Sequence, residues 1–433
     1  MLPFTNVHMH IFNTDCAPQR FFRVLSLGWG NAFASLLKSA LDSKSGRAVV
    51  DRLARMSNPD TRRKLARYLA FMQVGGQSSQ LEIFEQALAV GRQFDPSVRM
   101  VGLTLNMDYM DSPSDVRKSY ETQLEEVRNI RRYYPRNFFP FLGIDPYHKT
   151  GIELKEWAQQ NFESGFLRKG VALPYFFGIK LYPAHGFFPF DRGLEELYAY
   201  AEEYNLPVIS HCTRSGSMYI GNDIQNRISR FPTFLNQAGT LPEAKACQRI
   251  LDRIHRFYDA ELVKNNPLGN NSQACDLFSH PENYIPVLEK FPNLKVCLAH
   301  MGGLTEFLDD QCAGKEVARL RKLEENGKWL DIIRQMMQTY PNLYTDISYT
   351  LSGFDSEPIL KTFIDFLGNP ADPHALGKRV LFGTDFFMTE QEKQESDLYS
   401  LLLRNEKLKP WITELTRNNP ARFLSNLTPY IGM

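Results

Sequence analysis

Short apolar runs alternate along the chain with longer stretches in which polar and apolar residues mix. Eight runs stand out: Phe4–His10, Arg99–Asn106, Asn137–Asp145, Tyr175–Tyr182, Leu206–Cys212, Leu294–His300, Asn342–Ser348 and Arg379–Asp385. Most are continuously apolar, as strands covered on both faces are. The stretches between them carry helix signals. Asp191 is placed to cap a helix through Tyr204, with Leu194, Leu197, Tyr198 and Ala201 at helical spacing. Ser114 is placed to cap another through Tyr134, which stops before Pro135. Pro242–Lys264, Lys315–Thr339 and Glu357–Leu367 are also helical in pattern. Eight strands alternating with helices predict an α/β fold, a (β/α)8 TIM barrel, with a doubly wound open sheet as the alternative. No Gly-rich dinucleotide loop follows any strand, which removes the commonest use of that alternative.

Two connections exceed a simple crossover. Residues 13–98 separate the first two strands and residues 213–293 the fifth and sixth. We therefore expect one barrel domain over 1–433, with helical insertions at about 13–98 and 213–280. Long segments that follow barrel strands lie at the catalytic end and form lids or substrate walls. The basic stretch Arg52, Arg55, Arg62, Arg63, Lys64 and Arg67 in the first insertion reads as a solvated helix face.

Composition narrows the function class. The chain has 433 residues, 43% of them hydrophobic, enough for a large core. Its formal net charge of +1 offers no overall field for nucleic acid or an anionic membrane. No apolar run approaches the roughly 20 residues that span a bilayer. The opening residues lack the basic and apolar regions of a signal peptide. The six cysteines are scattered without a C-x-x-C pair, which suits reduced thiols in the cytoplasm. The expected partner is a small-molecule substrate; the 12% aromatic content also permits a homo-oligomer.

The candidate chemistry lies at the strand ends. His8 and His10 are two residues apart, so in a strand their side chains share a face and suit a divalent metal. Lys180 lies near the end of the fourth strand, His211 ends the fifth, His300 the sixth and Asp385 the eighth. The C-terminal ends of barrel strands are where active sites are built. His8, His10, His211 and Asp385 make a donor set for zinc or a similar ion that leaves room for water, and metal lowers the pKa of such water to near neutral. Asp385 is suited to bind metal and take a proton. His300 is suited to polarise substrate or to act as acid or base. Tyr182, His185, Arg214, Ser215 and Ser217 follow the fourth and fifth strands, where substrate contact is expected; Arg214 suits a carboxylate. Asp346 on the seventh strand reads as structural. His148, His255, His280 and His374 read as surface or local hydrogen-bonding residues. Gly302-Gly303 lets the chain turn sharply after His300.

These residues resemble the amidohydrolase superfamily, in its amidohydrolase-2 branch. The matching motifs are VHMHIF at 7–12, GIKLYP at 178–183, PVISHC at 207–212, KFPNLKVCLAHMGG at 290–303, RVLFGTDFF at 379–387 and NPARFL at 419–424. They occur in family order over nearly the whole chain. The resemblance implies a metal-dependent barrel enzyme with His8, His10, His211 and Asp385 around the metal and His300 as catalytic or ligand histidine. It also implies two options for Lys180. In binuclear members such a lysine is carbamylated and bridges two metals; in mononuclear members it is free to hold a substrate carboxylate. One metal, most simply zinc, is the preferred count. Position 6 is Asn where the family commonly has Asp, a difference beside the ligands rather than among them.

Three functions fit. The first is metal-dependent hydrolysis of a small amide or lactone by an activated water. The second is non-hydrolytic decarboxylation of an aromatic or unsaturated acid on the same motifs. The third is a barrel kept as an inactive scaffold, which predicts a missing ligand where none is missing. The short VHMHIF opening resembles the hydrolytic relatives slightly more.

Overall fold

The computed structural model describes residues 2–18, 21, 59–108, 116–216, 247–254, 271–322 and 327–430. The eight expected strands are present, shorter than the apolar runs that announced them. They are β1 (Thr5–Met9), β2 (Arg99–Gly102), β3 (Leu142–Ile144), β6 (Ile179–Leu181), β7 (Val208–Ser210), β8 (Val296–Leu298), β9 (Leu343–Asp346) and β10 (Val380–Leu381). All pair in parallel, in the order β10-β9-β8-β7-β6-β3 and β1-β2. Backbone bonds join these two groups at both edges. Val7 N–H donates to Phe382 O at 2.9 Å and Asp385 N–H to His8 O at 2.9 Å. On the other side, Met100 N–H donates to Asn137 O at 2.7 Å and Phe141 N–H to Gly102 O at 2.9 Å. The ring of eight strands thus closes, and the fold is the TIM barrel.

The two remaining strands, β4 (Gly165–Arg168) and β5 (Val171–Pro174), form an antiparallel hairpin that the apolar pattern did not announce. Its turn is Lys169-Gly170, with φ of 50° and 80°, the left-handed pair that a two-residue hairpin turn requires. Glu357–Leu367 is helical as expected. Asp191 caps as expected, its carboxylate accepting from Gly193 N–H at 2.7 Å ahead of helix Glu195–Glu203. The helix expected from Ser114 instead spans Tyr120–Tyr133 and is capped by the Ser119 hydroxyl, which accepts from Thr122 N–H; Ser114 itself lies outside the described residues. Lys315–Thr339 divides into helices Lys315–Lys322 and Trp329–Thr339. The first connection contributes helices Pro59–Gly75 and Gln80–Phe94; of the second, residues 247–254 and Asn271–Phe278 are helical. The remainder of Pro242–Lys264, with Arg52 and Arg55, lies outside the described residues.

A distinct apolar cluster fills the barrel: Val7, Val101, Leu103, Phe139, Phe141, Ile209, Cys297, Ala299, Tyr344 and Leu381. Phe423, Leu424 and Leu427 from the C-terminal segment join it beside Phe177 and Tyr344, at the strands' N-terminal ends. Arg131, fully buried there, lies between the rings of Phe139 and Phe177 at 4.9 and 4.7 Å. Its guanidinium donates to the carbonyls of Pro174 at 3.3 Å and Phe138 at 3.1 Å. One mouth of the barrel is therefore plugged. The polar strand ends gather at the other. Among the described residues, no helix is long and apolar enough to cross a membrane.

Candidate metal centre

The first strand approaches the end of the last, and this brings His8, His10 and Asp385 together. His8 Nε2 and His10 Nε2 each lie 3.4 Å from Asp385 Oδ1. Their other ring nitrogens are committed. His8 Nδ1 lies 2.9 Å from Asp346 Oδ2, and His10 Nδ1 lies 3.1 Å from the carbonyl of Leu103. Both partners only accept, so each imidazole carries its proton on Nδ1 and turns a bare lone pair toward Asp385. His8 Nε2 and Asp385 Oδ1 are buried without a hydrogen-bond partner. With Asp385 ionised, three acceptor atoms thus converge with no proton to share among them. That is the arrangement a cation completes, and His8, His10 and Asp385 offer three ligand atoms within 4.8 Å of one another.

Burial sets the charge state. It holds the imidazoles of His8, His10 and His300 well below the usual histidine range, and the neighbouring Lys180 ammonium and other imidazoles push the same way. His211 is lowered to about 3 by burial and then by Lys180. Burial also raises the Asp385 carboxyl well above the carboxylate range, against the pull of Lys180. Lys180 is lowered to about 8 by burial, against Asp385 and Asp346. Its ammonium is 1% exposed with no hydrogen-bond partner. Because Ile179 and Leu181 pack in the outer cluster, alternation along β6 turns Lys180 inward.

The backbone is strained where the chemistry gathers. Asp385 has φ of 61°, and His300, Met301, Gly302 and Gly303 form a left-handed run with φ of 67°, 53°, 85° and 100°. Glycine takes this conformation freely; the other residues are held there by their surroundings. Gly303 also approaches Thr213 so closely that a Cβ would meet Thr213 Oγ1 at 2.5 Å.

His211 is placed differently from the expected ligand set. Its Nε2 donates to Ser215 O at 3.0 Å, and its Nδ1 faces His300 Nε2 at 3.1 Å. Both ring nitrogens are engaged, so in this structure His211 pairs with His300 instead of joining His8, His10 and Asp385. Arg214 is also not where a substrate-binding cation was expected. Its Nε donates to Glu306 Oε1 at 3.2 Å, Nη1 pairs with Asp276, Nη2 donates to Gly327 O at 3.1 Å, and the group stacks on Trp329 at 4.7 Å. At 2% exposure this is a buried ion pair that anchors the loop after β7. Tyr182 spends its hydroxyl on Gly216 O at 2.9 Å, while its ring lies 4.4 Å from His211 and 4.7 Å from His185. Ser217 lies outside the described residues. His280 is fully buried, a local hydrogen-bonding residue rather than a surface one, its Nδ1 accepting from Glu282 N–H at 3.2 Å.

Two residues beneath the centre were not singled out for it. Asp346 orients His8, and its Oδ1 accepts from the backbone N–H of His300 at 2.9 Å and of Ser348 at 3.0 Å. Ser348 Oγ lies 3.1 Å from His8 Nδ1 and 2.9 Å from His300 Nδ1. The signal for Asp346 was available: it ends an apolar strand, as His211, His300 and Asp385 do. Asn6 ties the first strand to the last. Its Oδ1 accepts from His8 N–H at 3.1 Å and Thr384 N–H at 3.3 Å, and its Nδ2 donates to Thr384 Oγ1 at 2.8 Å and Tyr399 OH at 3.4 Å. Thr384 Oγ1 in turn donates to Glu395 Oε1 at 2.7 Å.

The amidohydrolase-2 family model matches residues 113–425, and the chain belongs to this family of amidohydrolases. Solved structures similar to it include a 5-carboxyvanillate decarboxylase from Novosphingobium aromaticivorans, at 12% identity over 98% of this chain and 96% of that one, with a TM-score of 0.49. A 4-oxalomesaconate hydratase from Rhodopseudomonas palustris aligns at 15% identity over 99% and 97%, with a TM-score of 0.45. A TIM-barrel protein from Bordetella bronchiseptica aligns at 17% identity over 84% and 91%, with a TM-score of 0.44. No curated protein matches the chain.

Proposed function

We propose that this amidohydrolase is a metal-dependent hydrolase that opens the C–N or C–O bond of a small amide or lactone bearing a carboxylate. The observation that carries the reading is the convergence of His8 Nε2, His10 Nε2 and Asp385 Oδ1, three buried atoms that are all acceptors when Asp385 is ionised, as it is against a bound cation. These residues would hold one divalent ion, and the mixed nitrogen and oxygen set suits zinc. When bound, such an ion polarises a carbonyl and lowers the pKa of water.

The chain's own groups supply the rest. Asp385, whose Oδ1 meets both histidine nitrogens, would take the proton of the attacking water and return it to the leaving group. His300 is held on both sides, its Nε2 by His211 at 3.1 Å and its Nδ1 by Ser348, so it would reach substrate by exchanging the His211 contact for it. Lys180, a buried ammonium without a partner, would take the substrate carboxylate, and an anion there would draw it back to its charged form. The plugged opposite mouth leaves these groups one side of approach.

One observation favours a second reading, non-hydrolytic decarboxylation. A carboxyl raised as Asp385 is can stand protonated and hand that proton to carbon as carbon dioxide leaves. Turnover of an amide, ester and lactone panel against carbon dioxide release from aromatic and unsaturated acids separates the two.

Metal content per chain, for the wild type and His8→Ala, tests the centre. About one ion, absent from the variant, is expected. About two would point to a carbamylated Lys180 as a bridge. None, even after addition of zinc or manganese, would overturn the metalloenzyme reading.

A further inference from the structure

The third and fourth barrel strands are neighbours, with Ile144 opposite Leu181, so the residues that follow them come side by side. After β3, Asp145 closes a tight turn in which Oδ1 accepts from Tyr147 N–H at 2.8 Å. That commits Oδ1. Oδ2 lies 3.8 Å from His185 Nδ1. After β6, Tyr182 leads into the single 3-10 turn Pro183–His185, ended by Gly186 at φ 101°. Proline presets the first residue of such a turn and glycine supplies its left-handed exit. His185 N–H donates back to Tyr182 O at 3.0 Å, which lays the imidazole against the Tyr182 ring. The same ring contacts His211. His185 therefore stands at the catalytic rim, sharing the Tyr182 ring with His211.

His185 Nε2 is fully buried and has no hydrogen-bond partner. An unmade bond of this kind costs about 1–3 kcal/mol, so folds retain few of them without a use. Its character follows from the far side of the ring. The Asp145 carboxylate only accepts, so it draws the imidazole proton to Nδ1 and leaves Nε2 as a lone pair. The 3.8 Å separation is long, as such contacts often are before a substrate is bound.

We propose that His185, oriented by Asp145, is an acceptor subsite for an O–H or N–H group of the substrate. With the unpartnered Lys180 ammonium on the strand that leads into this turn, the substrate class becomes a small carboxylate that also carries a hydroxyl or N–H donor. This rests on the reading of the barrel mouth as the substrate site. Asp145 is a positioning residue, and His185 is the group that touches substrate.

Two measurements test it. The first needs neither metal nor substrate: imidazole 15N spectra of histidine-labelled protein, with the His185 signals identified by their loss in His185→Phe. Protonated Nδ1 and bare Nε2 are expected in the wild type, with Asp145→Asn losing that bias; a proton on Nε2 in the wild type would overturn the proposal. The second is calorimetric binding of acetate and glycolate, which differ by one hydroxyl, to zinc-loaded protein. The ratio of glycolate to acetate affinity is expected to fall about 3- to 10-fold in His185→Phe, the worth of one neutral hydrogen bond. An unchanged ratio would overturn the subsite. Failure of zinc to load would count against the metal centre alone, while the tautomer result still decides the subsite.

Discussion

Replacing Asn6 by Asp changes one atom and hardly any volume, so no cavity term enters. The side chain keeps its acceptor for the His8 and Thr384 amides but loses the N–H that reaches Thr384 Oγ1 at 2.8 Å. The Thr384 hydroxyl proton already goes to Glu395, so two acceptors would face each other. Glu395 lies in the same buried patch, its own carboxyl pushed up to about 8 by burial, so the patch disfavours negative charge. The least costly escape is for the introduced carboxyl to bind a proton and donate it to Thr384. Protonating a group of solution pKa about 3.9 costs roughly 1.4 kcal/mol per pH unit, hence about 4 kcal/mol at pH 7 and about 1.5 kcal/mol at pH 5. The sign follows from the raised folded-state pKa: the penalty grows as pH rises above about 3.9. Urea unfolding of metal-free N6D and wild-type protein at the two pH values measures it. A loss below about 1 kcal/mol at pH 7, or an equal loss at both pH values, would refute the donor role of Asn6.

Two further outcomes follow from buried charge. Glu306 is fully buried and holds Arg214 Nε at 3.2 Å, Arg321 Nη2 at 3.5 Å and the Trp329 N–H at 2.7 Å. Glu306→Ala removes one carboxylate from each of two buried guanidiniums, Arg214 keeping Asp276 and Arg321 keeping Asp310, and is expected to cost about 3 kcal/mol in thermal unfolding, with Glu306→Gln milder; a loss under 1 kcal/mol would contradict the anchor. In the metal-free protein, His8, His10, His211, His280 and His300 are held neutral below the ordinary histidine pKa of 6.5. Asp385 and Glu395 are raised and act in the opposite direction. As the unfolded imidazoles charge below pH 6.5 the unfolded chain binds progressively more protons than the folded one, about three more near pH 5, and stability is expected to fall with a slope that steepens to roughly 4 kcal/mol per pH unit there. A flat profile by urea titration over that range would refute the neutral cluster.

The barrel was legible because its strands are covered on both faces, so each reads as an apolar run, and because a polar residue at the end of such a run has few structural reasons to be there. The same logic brought His8, His10, Lys180 and Asp385 forward. Which ring nitrogen a histidine presents is a different kind of fact. It depends on acceptors far away in sequence: Asp346 for His8, the Leu103 carbonyl for His10, and Ser215 O with His300 for His211. Arg214 shows the same limit. As a loop cation it looked available, yet its partners Glu306 and Asp276 lie 92 and 62 residues away. The start of the helix before Tyr133 was misplaced because Ser114 and Ser119 are equally good caps in composition, and tertiary context chose the second.

The plane where β1 meets the end of β10 sets a timetable for the molecule. Asn6 and Thr384, which stitch that seam, are separated by 378 positions. At typical translation rates of 5–20 residues per second, the His8–His10 pair waits roughly 20 to 75 s for its carboxylate to be made. During that interval the opening strand has one flank without its final neighbour, and its imidazoles are open to whatever ions the surroundings supply. The centre therefore belongs to the last step of assembly: losing the first ten residues would abolish it with little of the core, whereas from the other end the barrel plug of Phe423, Leu424 and Leu427 would go first.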